Sequence, residues 1–110
     1  MNLTSHTTGD ISILELSGRF DAANVTVVAR WFEEHPEVRR IVVNLRGVGF
    51  VDSSGLATLV KGLKRCRQNG GDLYLCELQP PVVIIIELTR LDKAFKSFAD
   101  EQAAVNAFLS

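Results

Sequence analysis

The sequence predicts one α/β domain over residues 1–110, with a mixed open sheet of four to five strands and about four helices packed on it. Short segments that are β-branched, or that alternate between apolar and polar residues, are followed along the chain by segments whose apolar residues recur at helical spacing. Hydrophobic residues make up 46% of the chain, which is enough for a core without disulfides or metals. The predicted order is β-β-α-β-α-β-α-(β)-α, with the central strands parallel.

The first two strands are predicted to form a hairpin. Residues 3–8 and 11–17 flank Gly9-Asp10, a dipeptide typical of turns. The second segment alternates in part between apolar and polar residues, as a strand with one buried face does.

The first helix is predicted after Asp21, since a carboxylate at a helix start accepts a hydrogen bond from a free backbone N–H group. Pro36 is expected to end this helix. Its apolar face repeats at i, i+3, i+4 and i+7, and consists of Val25, Val28, Ala29 and Phe32.

The middle of the chain predicts a strand, a helix and another strand. Residues 41–44 are apolar and mostly β-branched, which is typical of a central strand covered on both faces. Residues 56–66 have helical apolar spacing, and the glycines of 69–71 are expected to end that helix. Residues 72–77 alternate and predict the next strand.

The sequence of the C-terminal third does not decide between a strand and a helix in its first segment. Val82–Leu88 has strand propensity because β-branched side chains are restricted on a helix, yet Pro80-Pro81 before it suits a helix start. Residues 94–98 predict a short last strand. Asp100 is expected to cap a final helix, whose predicted buried face is Ala104, Val105, Phe108 and Leu109.

Composition excludes several classes of protein. The 12 basic and 13 acidic residues leave a net charge of −1, without the basic stripe of a nucleic-acid binder. Cys66 and Cys76 are too few for a disulfide framework or, with two scattered histidines, a structural zinc site. Residues 1–10 do not resemble a signal peptide and no long apolar run predicts membrane insertion. We therefore expect a cytoplasmic protein without cofactor or metal.

Two segments are candidates for a site, because ligands of open α/β sheets bind at the carboxyl ends of the strands. They are the predicted loops 18–21 and 50–55. In the second, Asp52 or a serine is an ordinary N-cap. Alternatively, Ser53 is a phosphoacceptor at a helix N-terminus, where a phosphate adds about −1.5 to −2 charges beside the positive end of the helix dipole.

Enzymatic chemistry finds less support. No G-x-S-x-G elbow, dinucleotide fingerprint or P-loop is present. Asp21 and Asp52 lack a third ligand for a metal site. An enzyme or phospho-aspartate receiver that uses these two acids stays a competing hypothesis, but it needs a base, a lysine or a metal that the sequence does not place.

Four blocks in order along the chain resemble one family. They are L-S-G-R-F-D (Leu16–Asp21), N-L-R-G-V-G-F-V-D-S-S-G-L (Asn44–Leu56), N-G-G-D-L-Y-L-C (Asn69–Cys76) and T-R-L-D-K-A-F (Thr89–Phe95). With their spacing, they cover nearly the whole chain and resemble the STAS domain, especially bacterial anti-sigma factor antagonists (anti-anti-sigma factors).

The resemblance implies a non-enzymatic, partner-switching module. Such a protein binds an anti-sigma factor that is also a serine kinase, and is released when the kinase phosphorylates it. A PP2C-type phosphatase reverses the modification. Carried over, Ser53 is the phosphoacceptor, while a homodimer stays open. The implied surroundings of the phosphorylation site and partner surface are Asp21, Asp52, Ser54, Gly55 and Leu56.

Residues 82–86 depart from the pattern, because the related proteins carry polar residues there and this chain carries five apolar ones. The run is either a more deeply buried part of the core or an exposed patch for a dimer or a distinctive partner. The second option motivates an alternative function, in which the chain is a STAS-type regulatory subunit of an ABC lipid transporter or a stressosome-like complex.

Overall fold

The computed structural model describes all 110 residues and confirms the predicted fold class and element order. Five strands form one sheet in the order β1-β2-β3-β4-β5, in which β1 and β2 are antiparallel and the other pairs are parallel. The strands are β1 (Asn2–Thr8), β2 (Ile11–Phe20), β3 (Arg40–Val51), β4 (Asp72–Cys76) and β5 (Ser97–Phe98). The helices are α1 (Val25–Glu34), α2 (Ser53–Gln68), α3 (Pro80–Leu88) and α4 (Glu101–Leu109).

The sheet has helices on both faces, and each face has its own core. The larger cluster packs α1, α2 and α3 against the sheet, and its fully buried members include Phe20, Val28, Val43, Leu59 and Leu75. The smaller cluster packs α4 against the other face through residues such as Ile13, Val42, Tyr74, Ala104 and Val105. Alternate residues of β3 and β4 therefore serve opposite cores, as the period of a strand requires.

Strands β2 and β3 run further than predicted. Of the expected loop 18–21, residues 18–20 belong to β2. Of the expected loop 50–55, residues 50–51 belong to β3 and residues 53–55 to α2. The pairing shifts register and brings Gly47 opposite Ser17, where a Cβ on Gly47 would lie 2.7 Å from the Ser17 Cβ. Gly47 thus permits a close approach of two strands at an irregularity and marks no turn.

The start of α1 corrects one prediction. Asp21 does not cap this helix, because residues 22–24 intervene and Asn24 occupies the cap position without a side-chain cap bond. The Asp21 carboxylate instead accepts hydrogen bonds from Asn24 Nδ2 at 2.8 Å and Arg19 Nε at 3.2 Å. The backbone oxygen of Asp21 accepts from the N–H groups of Asn24 and Val25, which closes the turn before the helix.

The ambiguous run after Pro80-Pro81 is helical. Gln79 is extended at the cap position and the two prolines occupy the first turn, where their missing N–H groups cost nothing. Val82 and Ile86 are buried on one side, whereas Val83 and Ile84 are 37% and 56% exposed. Both expectations for 82–86 therefore hold in part.

No helix has the combination of length and apolar character needed to cross a bilayer.

The last elements follow the prediction with two changes. Only Ser97–Phe98 of the expected strand 94–98 pairs with β4. Asp100 caps α4 by accepting from the Ala103 N–H group at 2.8 Å. Leu109, expected on the buried face, is 66% exposed, because it lies one step around the helix from Phe108, whose ring stacks on Tyr74 at 4.0 Å.

Both cysteines are inside the protein. Cys66 on α2 and Cys76 on β4 are free thiols in opposite cores. Burial raises the pKa of each to about 12, so both are protonated thiols at neutral pH.

Candidate functional site

The start of α2 is organised by one carboxylate. Asp52 is extended at the N-cap, and its Oδ1 accepts from the backbone N–H groups of Ser54 at 2.9 Å and Gly55 at 3.0 Å. Its Oδ2 accepts from the Ala22 N–H group at 3.1 Å, in the loop after β2. Asp52 therefore ties together the carboxyl ends of two parallel strands.

These bonds lower the pKa of Asp52. The Gly55 N–H group has the largest effect, desolvation opposes it, and the N–H groups of Ala22 and Ser54 and the charge of Arg19 lower the pKa further. A carboxylate held by backbone donors stays ionised at neutral pH. The helix start thus carries a fixed negative charge next to its first residue.

Ser53 and Ser54 differ in environment. Ser53 is the first residue of α2, is exposed, and its hydroxyl makes no hydrogen bond within the protein. Ser54 is half-buried, and its carbonyl oxygen accepts from the Thr58 hydroxyl at 2.9 Å. A macromolecular partner therefore has freer access to Ser53.

Gly55 and Leu56 adjoin Ser53 along α2 and face the core beneath the helix start. A Cβ on Gly55 would lie 2.4 Å from the Phe20 carbonyl oxygen and 2.9 Å from Val51 Cγ1. Leu56 is 7% exposed and belongs to the larger core. Both residues hold the helix start against the ends of β2 and β3.

An exposed aromatic and a cation adjoin the site, and sequence reasoning missed them. Arg19 and Phe50 are register partners on β2 and β3. The Arg19 guanidinium lies 3.9 Å from the centroid of the Phe50 ring, which is 41% exposed, and also pairs with Asp21. Their positions two residues before Asp21 and Asp52 were the available signal.

A second polar region lies on the α4 face of the sheet. Asn44 is buried and donates from Nδ2 to Glu77 at 2.9 Å and Glu101 at 2.6 Å. A hydrogen bond with Glu101, and the charge of that carboxylate, raise the pKa of Glu15. His6, Glu15 and Glu101 each place a ligand atom within 4.8 Å of the others. The sequence separates these residues widely, so only the fold brings them together.

Comparisons with known proteins agree with this geometry. The family model of the STAS domain matches residues 2–104. The anti-sigma F factor antagonist of Paenibacillus polymyxa is 30% identical over 98 residues, which cover 86% of this chain and 84% of the relative.

Solved structures share the architecture. An anti-sigma-factor antagonist (STAS) domain protein from Planctomyces limnophilus superposes with a TM-score of 0.89 at 23% identity, covering 98% of both chains. The Bacillus cell fate determinant SpoIIAA in its phosphorylated form gives a TM-score of 0.76 at 18% identity, covering 96% of this chain and 98% of that one. At these identities the likeness is one of fold. The match to residues 2–104 and the Paenibacillus relative show that this chain belongs to the STAS domain family, alongside anti-sigma factor antagonists.

Proposed function

We propose that this chain is an anti-sigma factor antagonist, a non-enzymatic binding module of the cytoplasm controlled by phosphorylation of Ser53. Unphosphorylated, it binds an anti-sigma factor that is a serine kinase; phosphorylation releases it, and a PP2C-type phosphatase restores it. The observation that carries the proposal is the exposure of Ser53, the first residue of α2, beside a half-buried Ser54.

The local electrostatics explain how one phosphate acts as a switch. Asp52 already occupies the N–H groups of Ser54 and Gly55, so a phosphate on Ser53 has little reason to fold back onto the helix. The negative charge of Asp52 also repels it. The phosphate therefore projects toward the partner, where like-charge repulsion and desolvation oppose docking.

The surrounding residues have supporting roles in this proposal. Asp52 fixes the position of Ser53 through the cap, and Ser54 continues the helix start. Asp21 keeps Arg19 and the loop after β2 in place. The partner then binds a preorganised surface, because a hydrogen bond joins the ends of β2 and β3 before the partner arrives.

The first experiment identifies the modified residue. The protein is incubated with an anti-sigma serine kinase from the same cell, ATP and magnesium, and phosphopeptides are mapped by mass spectrometry. We expect one phosphate on Ser53 in the wild type and in Ser54→Ala, and none in Ser53→Ala. A phosphate that persists in Ser53→Ala would refute the assignment.

The second experiment measures the switch by calorimetry with the same kinase. Ser53→Asp places a negative charge at the acceptor and is expected to weaken binding at least about tenfold, as like charges at an interface do. Ser53→Ala is the matched control and should bind like the wild type. Equal affinities for Ser53→Asp and Ser53→Ala would show that charge at this position does not control docking.

The exposed side of α3 favours a second candidate function, that of a STAS-type regulatory subunit of an ABC lipid transporter or stressosome-like complex. Val83 and Ile84 project outward and offer apolar area for a permanent partner. Affinity purification from the native cell distinguishes the two functions. A stoichiometric transport ATPase or stressosome subunit would support the second, and an anti-sigma kinase the first.

A further inference from the structure

A groove of about 360 Å³ lies between α3 and the edge strand β5, and Ser53 is not among the residues that line it. We call it the α3–β5 groove. Its apolar lining consists of Leu78, Val83, Ile86, Phe98 and Ala99. The volume lies near the lower end of the range for small-molecule sites, so it suits one or two side chains rather than a large ligand.

The rim of the α3–β5 groove is acidic. Glu77, Glu87 and Asp92 line it, and no lysine, arginine or histidine does. The Glu77 carboxylate bonds to the Asn44 amide, but Glu87 and Asp92 are exposed and form none of the ion pairs of the molecule. Two carboxylates without an ion-pair partner thus flank an apolar floor.

We propose that the α3–β5 groove binds a segment of a partner protein that carries an aliphatic side chain flanked by lysine or arginine. The aliphatic side chain enters the apolar lining and the cations meet Glu87 and Asp92. Charge complementarity of this kind selects the partner and speeds its approach. This proposal requires nothing of Ser53, so it stands apart from the phosphorylation switch.

The same charges argue against two other occupants. A second copy of this chain, docked groove to groove about a twofold axis, would bring the carboxylates of one rim against those of the other. An anionic membrane surface would be repelled by the acidic rim. A basic, aliphatic segment is the occupant that satisfies both parts of the surface.

The test uses the full ¹⁵N-labelled chain and two blocked tetrapeptides. One has the sequence lysine-isoleucine-leucine-lysine, and the other replaces both lysines with glutamate. We expect the basic peptide to shift the amide resonances of Leu78, Val83 and Phe98 in a saturable manner, and the acidic peptide to shift none. No saturable change up to about 5 mM, which already corresponds to very weak binding, or an equal response to both peptides would overturn the proposal.

Matched variants assign the effect to the groove. Val83→Ser removes apolar lining, and Ile84→Ser makes the same change at the neighbouring position, which does not line the groove. Glu87→Lys reverses one rim charge, and Glu34→Lys does so on α1. We expect Val83→Ser and Glu87→Lys to weaken peptide binding at least about fivefold, and both controls to leave it unchanged. Equal effects of Val83→Ser and Ile84→Ser would overturn the assignment.

The remaining outcomes are decisive as well. Analytical ultracentrifugation that shows a dimer broken by Val83→Ser would replace the peptide with a second copy. Sedimentation with phosphatidylglycerol vesicles that Val83→Ser abolishes would replace it with a membrane. Peptide binding retained in Ser53→Ala supports the independence of the groove, so failure of one proposal is distinguishable from failure of the other.

Discussion

The starts of α1 and α2 look alike in the sequence and differ in the structure. Each helix follows a strand of the parallel part of the sheet, and each is preceded by an aspartate, Asp21 or Asp52. Asp52 caps its own helix and also reaches the loop after β2. Asp21 lies too far from its helix to cap it and bonds to two neighbouring side chains.

The difference shows where the site gets its rigidity. We call residues 21–24 the α1 entrance and residues 52–55 the α2 entrance. The α1 entrance depends on Asp52, which accepts a hydrogen bond from the Ala22 N–H group, whereas the α2 entrance does not depend on Asp21. The Asp52 N–H group also donates to the Phe20 carbonyl oxygen at 3.2 Å. The α2 start therefore holds both loops, and Ser53 is the exposed residue next to that junction.

Gly55→Ala should break the α2 entrance most severely. The added Cβ would lie 2.4 Å from the Phe20 carbonyl oxygen, which is backbone and cannot move aside without shifting β2. We expect a loss of about 2 to 3 kcal/mol in the free energy of unfolding, measured with urea. Gly49→Ala is the control, since its Cβ would meet only the Gln79 Oε1 atom at 3.4 Å. Equal losses in both variants would contradict a tight junction at Gly55.

Asp52→Ala should come next. It removes the cap of α2 and the bond to Ala22 together, so we expect the melting temperature to fall by about 4 °C. Asp52→Asn keeps an acceptor and should retain most of the stability, since asparagine is a good N-cap. Calorimetric melting of both variants provides the check. Equal losses in Asp52→Asn and Asp52→Ala would show that the charge of Asp52, rather than its cap bonds, carries the stability.

Low pH should reduce the difference in the free energy of unfolding between the wild type and Asp52→Asn. The hydrogen bonds lower the pKa of Asp52 below its ordinary value of 3.8, so the ionised carboxylate stabilises the fold above 3.8. That contribution is lost as the pH falls through the lowered pKa. Urea midpoints between about pH 2 and 7 should therefore converge at the acid end.

Glu15→Gln is the control of opposite sign for that experiment. Glu101 raises the pKa of Glu15 above 4.5, so ionisation of Glu15 opposes folding as the pH rises through the raised pKa. Relative to Glu15→Gln, the wild type should lose stability as the pH rises. Parallel pH profiles for wild type and Asp52→Asn would contradict the cap-bonded carboxylate.

Asp21→Ala should have the smallest effect. It removes an exposed ion pair with Arg19 and a bond to the Asn24 side chain, while the backbone turn before α1 remains. We expect a loss of about 0.5 kcal/mol in urea unfolding, as is typical of exposed ion pairs. A loss as large as that of Asp52→Ala would erase the contrast between the two entrances.

The sequence predicted most of the fold because the spacing of apolar residues and the positions of turn and cap residues indicate the same elements along the chain. It predicted strands β2 and β3 too short because the alternating residues stop at Ser17 and the apolar β-branched residues stop at Asn44, whereas both strands continue past their close approach at Gly47. It left α3 undecided because β-branched residues and a proline pair point to different structures. There the buried Val82 and Ile86, one helical turn apart, show which tendency prevails.

The site was predictable where its chemistry is local. The Asp52 cap and the exposure of Ser53 follow from a strand, an aspartate and a helix in succession. The roles of Asp21 and Leu56 were not predictable from the sequence. The role of Asp21 depends on where α1 begins, and the role of Leu56 depends on which side of α2 faces the sheet. The contact between Arg19 and Phe50 depends on strand register, which a single sequence does not reveal.

The two buried thiols have a practical consequence. Because Cys66 and Cys76 stay protonated with a pKa of about 12 and are out of reach of solvent, alkylating probes and mild oxidants should leave the folded protein unmodified. A cysteine introduced on the surface, for example at Ile84, would then be the one reactive sulfur. Fluorophores or spin labels could report on docking at α3 without removing a native residue from either core.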